Sequence, residues 1–410
     1  MTDGIECVTD GPPQHELYLW PYSDVVRAGV AAAMCSYNQI DGTFACENDH
    51  ILNGLLKEEL GFPGYVMTDW GAHHSTVESA LAGLDLSMPG TDWGGGDRFW
   101  GDNLVSAVND GSVPLERVDN MVTRLLASWY KVGQDEGFPS QVNLDAPATG
   151  EHAANVRATA RDGTVLLKNE GGILPLTASS GVIGVVGSGS VKGDHANNVC
   201  TDKGCNDGAL GMGWGSGTVE YPYFVAPYDA INERATAEGL TVESSSSDDP
   251  SAGATVADAA DVVVVFVTSN SGEGYITVDG NVGDRQNLDP WHNGNELVAA
   301  VAESSENVIV VVHSVGPIIL SDILSHPSVK AVVWGGLPSQ ESGNALVDIL
   351  WGDANPSGKL PYTIAKRASD YNAQVVSGND NYDDGLFIDY RHFDANNIEP
   401  EFEFGFGLCE

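Results

Sequence analysis

The sequence predicts an α/β protein made of two successive regions, each built around a mainly parallel β-sheet. In roughly the first 130 residues, short apolar runs alternate with helical patterns about every 30 residues, which is typical of a parallel barrel or a doubly wound sheet. An aperiodic stretch rich in glycine, proline and polar residues follows. Beyond it, runs such as VVVVFV show no polar alternation, which indicates strands covered on both faces.

The first region contains three predicted strands and three predicted helices. The strands are short apolar runs that end at polar residues, glycine or proline, whereas the helices have apolar positions three or four residues apart. The strands are predicted at 30–37, 64–69 and 84–88, and the helices at 48–60, 102–108 and 115–130.

A linker is predicted at 131–154, where KVGQDEGFPSQVNLDAPATGEH loses all periodicity. The second region, 155–367, is predicted to be an α/β sandwich, and 368–410 an irregular C-terminal segment rich in Asn, Asp, Tyr and Phe. Strands of the second region are predicted at 164–168, 182–186, 261–268, 308–313 and 329–334, and helices at 226–238, 295–303 and 343–350.

The chain of 410 residues is strongly acidic, with 58 acidic and 18 basic residues and a net charge of −40. Such a surface repels phosphate backbones and anionic lipids, so we expect neither nucleic acid nor a membrane as a partner. No stretch approaches the ~20 apolar residues of a membrane span. The N-terminal MTDGIECVTDGPPQ lacks the apolar core of a signal peptide. These features predict no particular oligomeric state.

Four of the six cysteines lie close together in sequence, as Cys35 with Cys46 and Cys200 with Cys205. Both sets are in polar loops, where short disulfides are typical of an oxidising compartment. Zinc is the alternative, although neither set has CxxC spacing or a cluster of histidines. Cys7 and Cys409 receive no assignment.

Two carboxylates directly follow predicted strands. Asp69 ends the strand at 64–69 and precedes Trp70, while Glu273 lies between two glycines in the loop after the VVVVFVT run. Catalytic residues of parallel α/β sheets lie at such carboxyl ends, and an indole beside a carboxylate suits a sugar ring with its hydroxyls. The competing interpretations are a helix cap for Asp69, core packing for Trp70 and a solvated acidic loop around Glu273.

Three weaker patterns carry no cofactor prediction. The glycines of VVGSGSVKGD at 185–194 miss the spacing of a dinucleotide-binding motif, and no helical pattern follows them. His73 and His74 suggest a metal, but adjacent residues on a helix point in different directions, and a helix start is favoured. The acidic loop with Asp279 and Asp284 could bind calcium, but its spacing is not that of an EF-hand. We therefore predict no metal and no cofactor.

Nine stretches together resemble glycoside hydrolase family 3, and within it the secreted fungal β-glucosidases. They run in family order across nearly the whole chain, which makes the resemblance far more specific than any single motif. The stretches are HELYLWPY at 15–22, MCSYNQIDGTFACEN at 34–48, GFPGYVMTDWGA at 61–72, AGLDLSMPG at 82–90, LLKNEGGILPL at 166–176, MGWGSGT at 212–218, SGEGYITVDGNVGDRQNL at 271–288, GGLPSQESGNALVDILWGDANPSGKLPYT at 335–363 and FEFGFGL at 402–408.

The resemblance implies a role for each candidate residue. Asp69 matches the nucleophile and Glu273 the general acid/base, a division of labour that retaining hydrolysis requires. Further positions match residues that line the glucose-binding subsite, and the two cysteine sets match disulfides of the secreted fungal members. The subsite positions are Met34, Tyr37, Trp70 and Ser216, with Tyr37 orienting the nucleophile, and the implied disulfides are Cys35–Cys46 and Cys200–Cys205.

The resemblance also implies the activity and the fold. The implied function is a secreted retaining β-glucosidase that acts on cello-oligosaccharides and other β-glucosides without a cofactor. The alternatives are a β-xylosidase-type specificity and a non-catalytic truncated remnant that binds sugar weakly. A complete (β/α)8 barrel needs ~250 residues. Residues 1–130 are therefore expected to form only the C-terminal part of such a barrel, an incomplete TIM-like domain ahead of the sandwich.

Overall fold

The computed structural model describes residues 6–7, 11–91, 98–138, 150–195, 208–373 and 381–409. The chain divides into two compact units. The first unit comprises Met1–Asp145 and Ala373–Ile388, and the second comprises Ala146–Asn372 and Asp389–Glu410. No helix among the described residues is long and apolar enough to cross a membrane.

The first unit combines short strands with amphipathic helices. Its strands are β1 (Glu6–Cys7), β2 (Ala32–Cys35), β3 (Gln39–Ile40), β4 (Thr43–Phe44) and β5 (Tyr65–Thr68). Its longer helices are Gln14–Leu19, which continues directly into Trp20–Arg27, then His50–Glu59, Val77–Ala82, Asp102–Asn109 and Leu115–Lys131. The three predicted helices of this region are confirmed, whereas the helix over 14–27 was not predicted.

The strand β5 lies parallel to β2, with Met34 opposite Met67. The third predicted strand, at 84–88, is wrong in extent, because only Leu86 forms a bridge, to Met67. The N–H groups of Asp85 and Leu86 both donate to the carbonyl of Val66, which breaks the alternation of a regular ladder. Proline at position 89 then offers no N–H to continue it.

A buried ion cluster anchors β5 to the rest of the first unit. The Asp85 carboxylate is fully buried and accepts the N–H of Val66 at 2.8 Å. It also pairs with Lys57 Nζ at 2.8 Å and with Arg117 Nη2 at 2.7 Å. Burial lowers the pKa of Lys57 to about 8, against the opposing attraction of Asp85. Strand, helix His50–Glu59 and helix Leu115–Lys131 are therefore joined through one carboxylate.

The second unit contains a six-stranded sheet in the order β6-β13-β12-β9-β7-β8. All neighbouring strands are parallel except β6, which lies antiparallel to β13. The strands of this unit are β6 (Val165–Asn169), β7 (Val182–Val186), β8 (Thr241–Ser245), β9 (Val262–Ser269), β10 (Thr277–Val278), β11 (Asn281–Val282), β12 (Val308–Ser314) and β13 (Val329–Trp334). The predicted mainly parallel sheet is thus confirmed.

The central strands are covered on both faces, as their unalternating sequences predict. Every residue of β9 and of β12 is buried. In β9, Val263 and Val265 pack into one hydrophobic cluster, and Val264 and Phe266 pack into a second cluster on the opposite face. The helices of the unit are His152–Gly163, Pro227–Ala237, Pro250–Asp258, Gly294–Ser304, Ser321–Leu324, Ser342–Leu350 and Tyr390–Asn396.

Several elements of the second unit were not predicted, among them the helix His152–Gly163, which begins inside the predicted linker. The edge strand β8 is largely exposed and polar, so it lacks an apolar signal. The helix Pro250–Asp258 follows the serine-rich stretch SSSSDD and begins with a proline, and its Asp249 side chain caps the N–H of Ala252. The helix Tyr390–Asn396 lies in the segment predicted to be irregular.

Candidate active site

Asp69 lies at the carboxyl end of β5, as the sequence predicts. Its backbone N–H donates to the carbonyl of Cys35 at 3.0 Å, which fixes it against the end of β2. Its Oδ1 accepts the N–H of Trp70 at 2.6 Å. The helix Val77–Ala82 begins several residues later and has no side-chain cap, so Asp69 is not a helix cap. A half-buried carboxylate is thus presented at a strand end.

Hydrogen bonds to the backbone of Met88 hold the segment around Asp69. Thr68 is fully buried; its Oγ1 donates to the carbonyl of Met88 at 3.1 Å and accepts the N–H of Met88 at 2.8 Å. Gly71 donates its N–H to the same carbonyl at 3.0 Å and has a φ of 87°, which suits glycine. Both sides of Asp69 are therefore bonded to one residue, which limits the movement of the carboxylate.

Further predicted subsite residues lie at the same strand ends. Met34 and Trp70 are 53% and 47% exposed, so both offer apolar surface to a ligand. The hydroxyl of Tyr37 donates to the carbonyl of Trp70 at 3.1 Å. Tyr37 is thus joined to Trp70, which follows Asp69, whereas Met34 lines a cavity of the first unit together with Tyr18 and Tyr22.

One predicted disulfide is present. Cys35 and Cys46 are joined, with 5.3 Å between their Cα atoms, and the link closes the loop that leads out of β2. Cys200 and Cys205 lie outside the described residues. Cys409 is free and exposed. The Cys35 carbonyl that receives the Asp69 N–H is therefore on a covalently fixed turn.

His73 and His74 each contact neighbouring side chains. His73 is buried between the hydroxyls of Ser87 and Ser79, each 2.8 Å from a ring nitrogen. Burial lowers its pKa to about 4. His74 stacks on Phe44. Over the described part of the chain, no three His, Cys, Asp or Glu side chains are grouped so as to hold a metal.

Glu273 lies on a hairpin loop in the second unit. Its N–H donates to the carbonyl of Trp214 at 2.8 Å, and its Oε2 accepts the N–H of Ser216 at 2.6 Å. The Gly215 Cα lies so near that an added Cβ would be 2.9 Å from Oε2 of Glu273. The glycine-rich stretch 213–217 therefore allows the backbone to approach the carboxylate. Ser216, a predicted subsite residue, contacts Glu273 through its backbone.

An open cleft of about 650 Å³ surrounds Glu273 within the second unit. Arg285 lines this cleft and ties the end of the loop to β9, since its Nη1 donates to Ser269 Oγ at 3.3 Å. Its N–H donates to Ser271 Oγ at 3.2 Å, and Ser271 Oγ donates to Asp284 at 3.3 Å. Burial lowers the pKa of the Arg285 guanidinium. The two ends of the Glu273 loop are therefore joined.

Sequence reasoning missed several supporting residues. Thr68, Asp85 and Arg285 hold the loops and strands that carry the candidate carboxylates, but each acts through partners distant in sequence. One available signal was the unusual position of Thr68 and Asp85, both polar within otherwise apolar runs.

Family models match both units. The "Glycosyl hydrolase family 3 N terminal domain" matches residues 3–128, and the "Glycosyl hydrolase family 3 C-terminal domain" matches residues 164–408. A curated relative, "Probable beta-glucosidase L" of Aspergillus fumigatus, is 59% identical over 96% of this chain and 54% of its own length. The chain thus spans about half the length of the curated relatives it matches.

Solved structures give the same picture. Beta-D-glucoside glucohydrolase from Trichoderma reesei matches with a TM-score of 0.97 and 61% identity, over 100% of this chain and 58% of that one. Beta-glucosidase D2-BGL from Chaetomella raphigera matches with a TM-score of 0.95 and 51% identity, over 100% and 58% of the two chains. The chain belongs to glycosyl hydrolase family 3.

Proposed function

We propose that this chain carries the catalytic carboxylates of a retaining β-glucosidase that removes terminal non-reducing β-D-glucosyl residues from cello-oligosaccharides and other β-glucosides. Asp69 is the nucleophile and Glu273 the general acid/base. The observation that carries the proposal is the manner in which both carboxylates are held: each accepts a backbone N–H and each remains partly exposed. The relatives named as β-glucosidases support the same reading.

The first step requires the two carboxylates to be in opposite protonation states. Asp69 is ionised and attacks the anomeric carbon, while Glu273 gives its proton to the glycosidic oxygen as the carbon–oxygen bond breaks. Glu273, now ionised, then takes a proton from water. The water oxygen displaces Asp69 from the anomeric carbon and releases glucose with its β-configuration retained. No cofactor takes part in either step.

The remaining predicted residues serve the sugar. Trp70 offers an aromatic face and Met34 an apolar side chain, while Tyr37 fixes the turn after the nucleophile through the Trp70 carbonyl. Ser216 presents Glu273 with an N–H and adds a hydroxyl to the same cleft. We propose an extracellular location, which the Cys35–Cys46 disulfide supports. The proposed domain division remains 1–130, 131–154, 155–367 and 368–410.

Two variants and azide test these roles. Asp69→Asn should abolish turnover of every substrate, because no glycosyl-enzyme bond can form. Glu273→Gln should slow cellobiose strongly but largely spare the first step with an activated aryl β-glucoside, whose leaving group needs no proton. Azide should rescue the second step of Glu273→Gln and give β-glucosyl azide, measured by NMR, whereas Asp69→Gly with azide should give only the α-anomer.

The matched control is Glu303→Gln, an exposed carboxylate on the helix Gly294–Ser304, which should behave like the unmodified chain. An α-azide product from Glu273→Gln would reverse the two roles. Faster hydrolysis of aryl β-xylosides than of aryl β-glucosides would favour the xylosidase alternative. Sugar binding without any turnover by the unmodified chain would favour the non-catalytic alternative.

A further inference from the structure

The loop that carries Glu273 ends in a tight hairpin. β10 and β11 pair with Thr277 opposite Val282 and Val278 opposite Asn281. The hairpin is closed at its base, because Gly272 N–H donates to the Gly283 carbonyl and Gly283 N–H donates to the Ile276 carbonyl. The tip is Asp279–Gly280, and Asp279 has a φ of 49°. Glu273 is joined to this hairpin, because the Ile276 N–H donates to the Glu273 carbonyl.

The tip of the hairpin contacts a histidine from outside the loop. Asp279 Oδ2 lies 3.2 Å from His292 Nε2, and the two side chains are 33% and 34% exposed. His292 and its neighbour Asn293 have φ values of 56° and 58°. Left-handed backbone is uncommon for residues with side chains, so its occurrence at both ends of one contact marks a place that surrounding structure holds fixed.

His292 lies on a well-anchored segment. Trp291 donates its N–H to the carbonyl of Thr268, near the end of β9, at 2.8 Å. The helix Gly294–Ser304 begins two residues after His292, with Gly294 buried. The Trp291 side chain packs against a cluster that contains Trp214, Ile276 and Val278, which joins the hairpin to the loop before Ser216. His292 is thus a fixed point against which the tip can be held.

We propose that His292 is a positioning residue for Glu273, which it holds by binding Asp279 at the tip of the hairpin. The proposal rests on the acid/base role proposed for Glu273. His292 touches neither substrate nor Glu273; it acts through Asp279 and the paired strands β10 and β11. Release of the tip would leave the base of the hairpin and the bonds to Trp214 and Ser216 to set the direction of the Glu273 carboxylate.

The contact responds to pH in a defined direction. The hydrogen bond to Asp279 raises the pKa of His292, burial opposes this, and the charge of Asp248 adds to it. Asp289 and Glu296 line the same polar cleft from the chain on either side of His292. Because the pKa of the histidine is raised on folding, the charged pair is fully present below about pH 6.5 and is lost as the pH rises through the raised value.

The test measures the order of the hairpin directly, by hydrogen exchange of backbone amides in residues 271–284 of the whole chain, corrected for intrinsic exchange. Between pH 5 and pH 8 the protection of this segment should fall about two- to fivefold, the range of a partly exposed ion pair. His292→Asn tolerates the left-handed backbone but is too short to reach Asp279. It should remove the dependence and match the unmodified chain at pH 8.

Asp279→Asn should likewise remove the pH dependence, and the double variant should lose no more of it than either single variant, because both substitutions break the Asp279–His292 contact. His152→Gln, an exposed histidine in the same unit, is the control and should keep the pH dependence. Equal protection of 271–284 at pH 5 in His292→Asn and in the unmodified chain would overturn the proposal.

Activity provides a second arm. His292→Asn should lower kcat/KM for cellobiose several-fold more than for an activated aryl β-glucoside, since only the former needs the proton of Glu273. An equal loss for both substrates would also overturn the proposal. If the unmodified chain hydrolyses neither substrate, the catalytic proposal fails, and the exchange measurement alone decides whether His292 holds the hairpin.

Discussion

The two candidate carboxylates are held in different ways. Asp69 ends a strand whose neighbours are buried, and its supports are the core residues Thr68 and Asp85. Glu273 lies on a hairpin whose supports are partly exposed polar contacts, through Ser216 and Arg285. The comparison teaches that a carboxylate at a strand end can be fixed by the core of a unit, whereas a carboxylate on a loop depends on contacts that water weakens.

The comparison extends to pH. Near Asp69, burial lowers the pKa of His73, whereas below the Glu273 hairpin the bond to Asp279 raises the pKa of His292. Acid therefore weakens the surroundings of the proposed nucleophile Asp69, and alkali weakens those of the proposed acid/base Glu273. The three predictions that follow probe the nucleophile side, from the largest expected effect to the smallest.

Asp85→Ala should have the largest effect. It leaves the buried cations of Lys57 and Arg117 without their carboxylate and the Val66 N–H without its acceptor, at a cost of about 3–5 kcal/mol in the free energy of unfolding of the first unit. Denaturant unfolding followed by hydrogen exchange at 65–68 measures it. Asp353→Ala is the control, since its partner Arg234 is more exposed and the loss should stay below about 1 kcal/mol. Similar losses in the two variants would contradict the comparison.

Removal of the Cys35–Cys46 disulfide should come next. The link spans 11 residues, and the chain-entropy model gives about 2–3 kcal/mol for a loop of this size. The double variant Cys35→Ala/Cys46→Ala should unfold its first unit at lower denaturant and exchange the Asp69 amide faster, because that amide bonds to the Cys35 carbonyl. Cys409→Ala, at the free exposed cysteine, is the control. An unchanged exchange rate of the Asp69 amide would show that the disulfide does not help to hold Asp69 in place.

The smallest effect should come from the titration of His73. With a folded pKa of about 4 and an unfolded value near 6.5, its stabilising contribution is complete above pH 6.5 and declines as the pH falls towards 4. The first unit should lose about 2 kcal/mol between pH 7 and pH 5 from this group. His73→Gln keeps a hydrogen-bonding side chain between the two serines and should flatten that slope in denaturant titrations. A slope unchanged in this variant would assign the acid sensitivity to other groups.

Sequence patterns predicted strands correctly where every residue is buried. They failed where contacts with distant parts of the chain determine the strand. The VVVVFV run predicts β9 because a strand covered on both faces needs no polar positions. The polar strand β8 gives no such signal, and its pairing with β7 is what defines it. The strand predicted at 84–88 does not form a regular ladder, because the N–H groups of Asp85 and Leu86 both donate to the Val66 carbonyl. The local sequence pattern gives no sign of these hydrogen bonds.

The same distinction applies to the candidate site, where some residues could be predicted from the sequence and others could not. Asp69 and Glu273 could be found because each directly follows a recognisable strand or glycine-flanked turn, and the family motifs assign their roles. The contact of Asp279 with His292 joins residues 13 positions apart across a hairpin and a left-handed turn, which only the folded backbone brings together. Support for catalytic groups is therefore harder to predict than the groups themselves.

The donor that Ser216 offers to Glu273 has a consequence for how the site can change over generations. It is a backbone N–H, so every substitution at 216 except proline preserves it. The side chain at 216 can therefore change while the carboxylate keeps this hydrogen bond. At Gly215 the reverse holds, because any side chain would crowd Glu273. One residue of the pair is open to substitution, and its neighbour is closed to it.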